Sequence, residues 1–234
     1  MQGFLILRLE GPMQAWGTHT YEDFRPSNLY PTRSGLLGLL GACLGLERGD
    51  PEGQAQLAAS VEFTVRIDGM VARPGADKPV TKPGIKLPDY HTVREARRVN
   101  RAPREGETIQ TWREYLFDAA FTVAVGTRPD APVSLERIAE ALRHPCYTPV
   151  LGRRSCPPTR PLLEGNVDTT TALEALSLIE PAGGLVYSEA ERSEQPVRLR
   201  DVPMHGKTRQ FASRMVYLHN VSPVRGDDQE EKCT

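Results

Sequence analysis

The sequence predicts an α+β fold built on a ferredoxin-like, RRM-like βαββαβ unit, and three observations support it. Apolar periodicities follow one another along the chain in the order strand, helix, strand, strand, helix. The clearest is "SVEFTVRIDG", residues 60–69, which alternates Val61, Phe63, Val65 and Ile67 with Glu62, Thr64, Arg66 and Asp68, the period of a half-buried strand. The two strands that such a unit joins as a hairpin are separated here by residues 70–112, far more than a hairpin loop needs, so a protruding insertion is predicted between them.

Taken in order, "GFLILRLEG" sets Phe4, Ile6 and Arg8 against Leu5, Leu7 and Leu9 and stops at Gly11-Pro12. Apolar groups on both sides suit a central strand followed by a turn. Residues 12–32 carry Trp16, Tyr21, Phe24 and Tyr30 with no regular period, which predicts an ordered loop. "GLLGLLGACLGL" then predicts a helix capped by Thr32 or Ser34 and ended by Gly49 and Pro51. Gly35, Gly38, Gly41 and Gly45 lie on one side of it, and each costs about 1 kcal/mol relative to alanine. That cost predicts a close approach to another backbone. "YLFDAAFTVAVG", residues 115–126, predicts a strand. "SLERIAEALRHP" predicts a helix with Ser134 as cap and Pro145 as stop.

Beyond Pro145 the pattern loosens into the proline-punctuated loop "CYTPVLGRRSCPPTRPL", and "GGLVYSE" and "QFASRMVYLHNV" predict strands of a small β-rich C-terminal part. The expected organisation is residues 1–145 as the RRM-like unit, with its insertion at about 70–112, then residues 146–234, ending in a mobile acidic tail at 226–234.

Composition excludes several classes. With a net charge of −1 there is no global basic field, so an argument for nucleic-acid binding rests on where the charges sit. They are uneven: "REARRVNRAPR", residues 94–104, holds Arg94, Arg97, Arg98, Arg101 and Arg104. The four cysteines form no CxxC pair and the five histidines are scattered singly, which predicts a reduced intracellular protein with no metal site and no cofactor. The most apolar run falls short of the roughly 20 residues that cross a bilayer.

Guanidinium forks bind phosphates bidentately and stack on bases, so an arginine-rich arm projecting from an RRM-like sheet suits single-stranded RNA. "LGRRSC" offers Arg153, Arg154 and Ser155 beside Gly152, whose missing side chain permits close backbone approach. In "TWREY", Trp112 is either a base-stacking residue or part of the core, and Arg113 is a phosphate ligand. His91 and Tyr90, with arginines nearby, carry the residue types for metal-independent RNA cleavage, which needs a base, an acid and cations around the phosphorane.

The blocks "LRLEGPMQAWG", "YPTRSGLLGLLGACLG", "DYHTV", "ETIQTWREYL", "YTPVLGRRSCP" and "RQFASR" resemble, in order and over nearly the whole chain, the CasD family of CRISPR-associated proteins. The resemblance implies a RAMP-superfamily palm of modified RRM type, a β-hairpin thumb at residues 70–112 and a small C-terminal part. It further implies a cytoplasmic, non-catalytic subunit of the type I-E Cascade complex. Such a subunit caps the 5′ handle of the CRISPR RNA, touches the backbone subunit and the large subunit that reads the protospacer-adjacent motif, and meets target DNA only indirectly. By the same resemblance Gln14, Trp16, Arg33, Ser34, Arg113, Arg153, Arg154 and Arg209 face RNA, and His91 has a structural or RNA-contacting role. Arg94, Arg97, Arg98 and Arg101 are RNA candidates by the chemistry of the arginine-rich arm alone, since that stretch is not among the matching blocks. A relative in type I-C systems trims the repeat, which keeps a metal-independent endoribonuclease using His91 and Tyr90 as the alternative.

Overall fold

A computed structural model of the chain describes residues 1–18, 23–68, 84–95, 102, 105–181, 184–204 and 210–221. Its elements run β1 (Gln2–Glu10), β2 (Met13–Gln14), β3 (Trp16–Gly17), β4 (Phe24–Arg25), β5 (Ser27–Asn28), α1 (Arg33–Leu44), α2 (Pro51–Ser60) and β6 (Val61–Ile67). There follow β7 (Ile85–Arg94), β8 (Thr108–Phe117), β9 (Ala120–Thr127), α3 (Leu135–Arg143), β10 (Leu163–Thr169), α4 (Ala172–Ser177), β11 (Gly184–Ser188), β12 (Pro196–Met204) and β13 (Gln210–Val221).

Seven strands make one sheet in the order β10-β1-β9-β6-β11-β13-β12, antiparallel throughout. Its first four members are the fourth, first, third and second strands of the sequence β1-α1-β6-β9-α3-β10, which is the connectivity of a βαββαβ unit. The C-terminal strands continue this sheet, because β11 pairs with the outer edge of β6. A second sheet holds β7, β8, β4 and β2; its β7–β8 hairpin lies between β6 and β9, where the long insertion is predicted, and β2 and β4 join it from the segment between β1 and α1.

Alternation sorts the core into two layers. Leu5, Leu7 and Leu9 of β1, with Phe63 and Val65 of β6 and Phe121, Val123 and Val125 of β9, pack under Leu36, Leu40, Ile138 and Leu142 of α1 and α3. Each such fully buried side chain contributes roughly 1.5–3 kcal/mol. On the opposite face, Phe4, Ile6, Ala124 and Val186 lie beneath Ala172, Ala175 and Leu176 of α4. That second face is the one an RRM offers to RNA, and here α4 closes it. The half-buried strand predicted at residues 60–69 is therefore buried on both sides, and Arg66 has no exposed surface. Its guanidinium donates to Asp68 (2.6 Å), to the Thr122 hydroxyl (3.1 Å) and to the Leu176 carbonyl. Arg8 donates to Asp68 at 3.0 Å from the other side. Burial raises the Asp68 carboxyl above its ordinary range, against the pull of Arg66, Thr122 and Arg8.

Helix α1 starts as predicted, with the Thr32 hydroxyl accepting from the Gly35 N–H at 3.3 Å. It stops earlier than predicted. Gly45 takes φ +77°, and the Leu46 N–H closes back to the Gly41 carbonyl at 2.8 Å, a left-handed termination that glycine allows. Pro51, expected with Gly49 to end one helix, begins another: Asp50 caps the Gly53 N–H at 2.8 Å and Pro51 occupies the first turn of α2. Of the glycine stripe, Gly35 and Gly45 are tightly packed, against side chains and not, as predicted, against another backbone. A methyl group at Gly35 would meet the Trp16 ring at 2.7 Å and one at Gly45 would meet Cys146 Sγ at 2.8 Å, whereas Gly38 faces open space. The strand predicted over residues 115–126 is broken at Asp118, whose φ of +51° sends Tyr115 and Leu116 into the second sheet and Phe121 onward into the first.

Among the described cysteines, Cys146 is exposed and Cys43 and Cys156 are buried. Burial pushes the Cys43 thiol up to about 11. Brief alkylation of the native protein at neutral pH should therefore mark Cys146 and spare Cys43 and Cys156, as read by peptide mass mapping. Labelling of Cys43 without denaturant would contradict this packing. No helix among the described residues is long and apolar enough to cross a membrane.

Candidate nucleic-acid interface

The second sheet is read most simply from β8. Alternate residues point to opposite faces, and cross-strand partners share a face. Thr111, Arg113 and Tyr115 therefore lie with their β7 partners His91, Asp89 and Leu87 on one face, and Trp112 and Glu114 lie with Tyr90 and Pro88 on the other.

Tyr115 organises the first face. Its ring is buried, and the Arg153 guanidinium lies over it at 4.7 Å. Arg153 also donates to the Glu114 carbonyl (2.9 Å) and to the Arg25 carbonyl (2.8 Å), which staples the "LGRRSC" loop onto β8 and β4. The Tyr115 hydroxyl is 3.4 Å from the Ser155 hydroxyl and 3.4 Å from His91 Nε2, and His91 Nε2 is 2.6 Å from Asp89. Next to this chain Arg154 is exposed and Arg113 half-buried, its Nε donating to the Thr111 hydroxyl at 3.0 Å. The loop sits this close because Gly152, at φ +91°, lies against the backbone of Ala15, and Ala15 donates to the Leu151 carbonyl at 3.0 Å. The result is a set of donors and cations around one tyrosine, suited to phosphate oxygens. On the reverse face Lys86 pairs with Glu114 at 2.7 Å. Burial works against ionisation of Glu114, but Lys86, the Ser27 N–H and Arg153 outweigh it and hold the carboxyl below its usual range.

The sequence model for CRISPR-associated protein (Cas_Cas5) matches residues 4–217. The chain belongs to the Cas5 family. It is 48% identical over 220 residues to the CRISPR system Cascade subunit CasD of Escherichia coli (strain K12), covering 93% of this chain and 96% of that one. Among solved structures it is similar to a chain of a CRISPR RNA-guided surveillance complex, with a TM-score of 0.70 and 31% identity, covering 94% of this chain and 90% of that one. It is also similar to a crystal structure of a Cas protein, with a TM-score of 0.62 and 27% identity over 93% and 94% of the two chains.

Of the residues predicted to face RNA, this Cas5-family chain places His91 and Arg153 against Tyr115, with Arg113 on the same face of β8 and Arg154 exposed next to Arg153, and it buries three others. Gln14 is fully buried, donating to the Leu9 (2.9 Å) and Ala119 (2.7 Å) carbonyls. Trp16 is fully buried as well, its indole N–H donating to Gln14 at 3.0 Å and its ring lying against Gly35. Arg33 is buried over the Phe63 ring and bonded to Glu189 and to the Ala58 and Val61 carbonyls. These three side chains are packed within the fold. Ser34, half-buried beside Thr32, belongs to the start of α1, and its hydroxyl lies 3.4 Å from that of Thr32. Arg94 is exposed at the end of β7 and faces Glu95 at 3.5 Å. Arg97, Arg98, Arg101 and Arg209, as well as the tail at 226–234, lie outside the described residues.

The alternative catalytic pair is also corrected. Tyr90 and His91 are adjacent on an extended strand, so their side chains leave opposite faces: Tyr90 meets Trp112 and His91 meets Tyr115. Sequence reasoning missed Tyr115 as the centre of the site, although the alternation in "TWREY" already separates it from Trp112.

Proposed function

We propose that this Cas5-family chain is a non-catalytic subunit of a type I-E Cascade complex that holds the 5′ handle of the CRISPR RNA. The seven-stranded sheet acts as the RAMP palm and the β7–β8 hairpin as its thumb. The chain works in the cytoplasm, contacts the backbone subunit and the large subunit that reads the protospacer-adjacent motif, and meets target DNA through them. The observation that carries the reading is the packing of Arg153, Ser155 and His91 around Tyr115 at the root of the hairpin, with Arg113 on the same face of β8 and Arg154 exposed between Arg153 and Ser155 in the sequence. It is supported by the 48% identity to a protein named as a Cascade subunit.

Arg153 spends its donors on carbonyls, so the test falls on the exposed Arg154. With fluorescein-labelled handle RNA and the full-length chain, Arg154→Ala should weaken binding at moderate salt and flatten the plot of log affinity against log salt by about 0.7. Unchanged affinity and slope would remove Arg154 from the interface.

A second reading has one observation in its favour: His91 Nε2 lies between a carboxylate and a tyrosine hydroxyl, a geometry able to hold or pass a proton. Repeat RNA cut in EDTA by the pure chain, with cutting lost in His91→Ala, would make the protein a metal-independent endoribonuclease instead.

A further inference from the structure

The face of the hairpin opposite Tyr115 carries a row of three aromatic rings, one from each of three neighbouring strands: Phe24 on β4, Trp112 on β8 and Tyr90 on β7. Phe24 and Trp112 stack at 5.2 Å with 17° between their planes, and Tyr90 follows Trp112 at 5.4 Å with a tilt of 49°. All three are exposed, and the two ends of the row, Phe24 at 55% and Tyr90 at 52%, more so than Trp112 at 38%. Packed rings left in water on a sheet face mark a binding surface.

The kind of partner follows from how the exposed side chains sort. The aliphatic residues of β7, Ile85, Leu87 and Val93, all leave from the other face. Around the aromatic row the strands instead present Thr92, Arg94 and Gln110 on one side and the Lys86–Glu114 pair on the other. Flat rings with the small ring of Pro88 beside Tyr90 and otherwise bordered by hydrogen-bonding and cationic groups match a nucleobase better than a protein side-chain cluster.

We infer that Phe24, Trp112 and Tyr90 form a stacking platform for unpaired bases of single-stranded RNA, with Arg94 and Gln110 at its border. The inference rests on the RNA-binding reading above and assigns a second contact surface to the same hairpin. Bases stack on the free faces at the ends of the row, while the backbone passes to the Arg154 side.

The chain has two tryptophans, and Trp16 is fully buried, so quenching of tryptophan emission by RNA reports on Trp112. Wild-type protein is titrated with single-stranded handle RNA and with the same strand made abasic. The intact strand should quench emission and bind about 10-fold more tightly than the abasic one. Trp112→Leu should lose that preference and Trp112→Phe should keep most of it, with melting temperatures checked for each. Tyr90→Ala, at the exposed end of the row, provides the same readout should Trp112→Leu fail to fold. Intact and abasic strands bound equally, without quenching, while Arg154→Ala still weakens binding, would overturn the platform and leave the RNA reading standing. Absence of binding to either strand would overturn both. Retention of RNA by Trp112→Leu together with failure to assemble with other Cascade subunits would make the row a protein-docking surface and overturn the inference.

Discussion

Arg33→Ala is expected to lower the melting temperature by on the order of 10 °C without involving RNA at all. The Arg33 guanidinium is bonded to Glu189 and donates to the Ala58 (2.7 Å) and Val61 (3.1 Å) carbonyls, while its backbone N–H donates to Asp201 at 2.7 Å. Arg214 completes the group, bonding Glu189 at 2.9 Å and Asp201 at 2.6 Å. Two arginines and two carboxylates are thus balanced in a site where each side chain is at most 16% exposed. Removing one cation leaves Glu189 buried beside a single remaining partner, and breaking a buried pair in this way costs about 3–5 kcal/mol. The network joins the start of α1 to β12 and β13, so the loss should also loosen the C-terminal strands, visible as faster amide exchange in β12. Arg33→Lys keeps the charge but not the planar fork, and its melting temperature should fall between the two. An Arg33→Ala protein that melts like wild type yet binds handle RNA poorly would return Arg33 to the RNA interface.

Arg33 also shows where sequence reading stops. The first five elements of the βαββαβ core and the long insertion were legible because each depends on local period and on connection length, whereas its last strand, β10, lies beyond the expected boundary at residue 145 and, like α2, α4 and β12, carries no clear period. Whether an arginine faces solvent depends on what the fold brings to it, and the partners of Arg33 lie 156 and 168 residues away in sequence. The burial of Gln14 and Trp16 was hidden for the same reason, since the carbonyl of Ala119 that accepts from Gln14 is 105 residues distant. Two local signals were there to be read differently. Asp50-Pro51 serves as a helix start as well as a helix stop, and it starts α2. Asp118 interrupts an apolar run at the point where the chain crosses from one sheet to the other. The "LGRRSC" loop was legible as a candidate because Gly152 next to two arginines is local, but its anchor, Tyr115, was hidden inside what read as an ordinary strand.

Gly152→Ala is expected to damage folding and RNA binding together, which distinguishes it from Arg154→Ala. A methyl group at position 152 would fall 1.8 Å from the Ala15 carbonyl oxygen, a backbone atom with no side-chain freedom to yield. The left-handed φ of +91° adds a strain of about 1–3 kcal/mol for any residue with a side chain. Relief requires the loop to retreat, and retreat breaks the Ala15 N–H to Leu151 carbonyl bond and lifts Arg153 from Tyr115. Arg154 and Ser155 move with it, so RNA affinity should fall at least as far as in Arg154→Ala, and the melting temperature should fall too. Gly38→Ala is the matching control, because that glycine faces open space within a helix and its replacement should raise stability by about 0.5–1 kcal/mol. A Gly152→Ala protein with wild-type melting and a wild-type salt slope would mean that the loop tolerates displacement. The tight seat on Ala15 would then have no part in presenting Arg154 to phosphate.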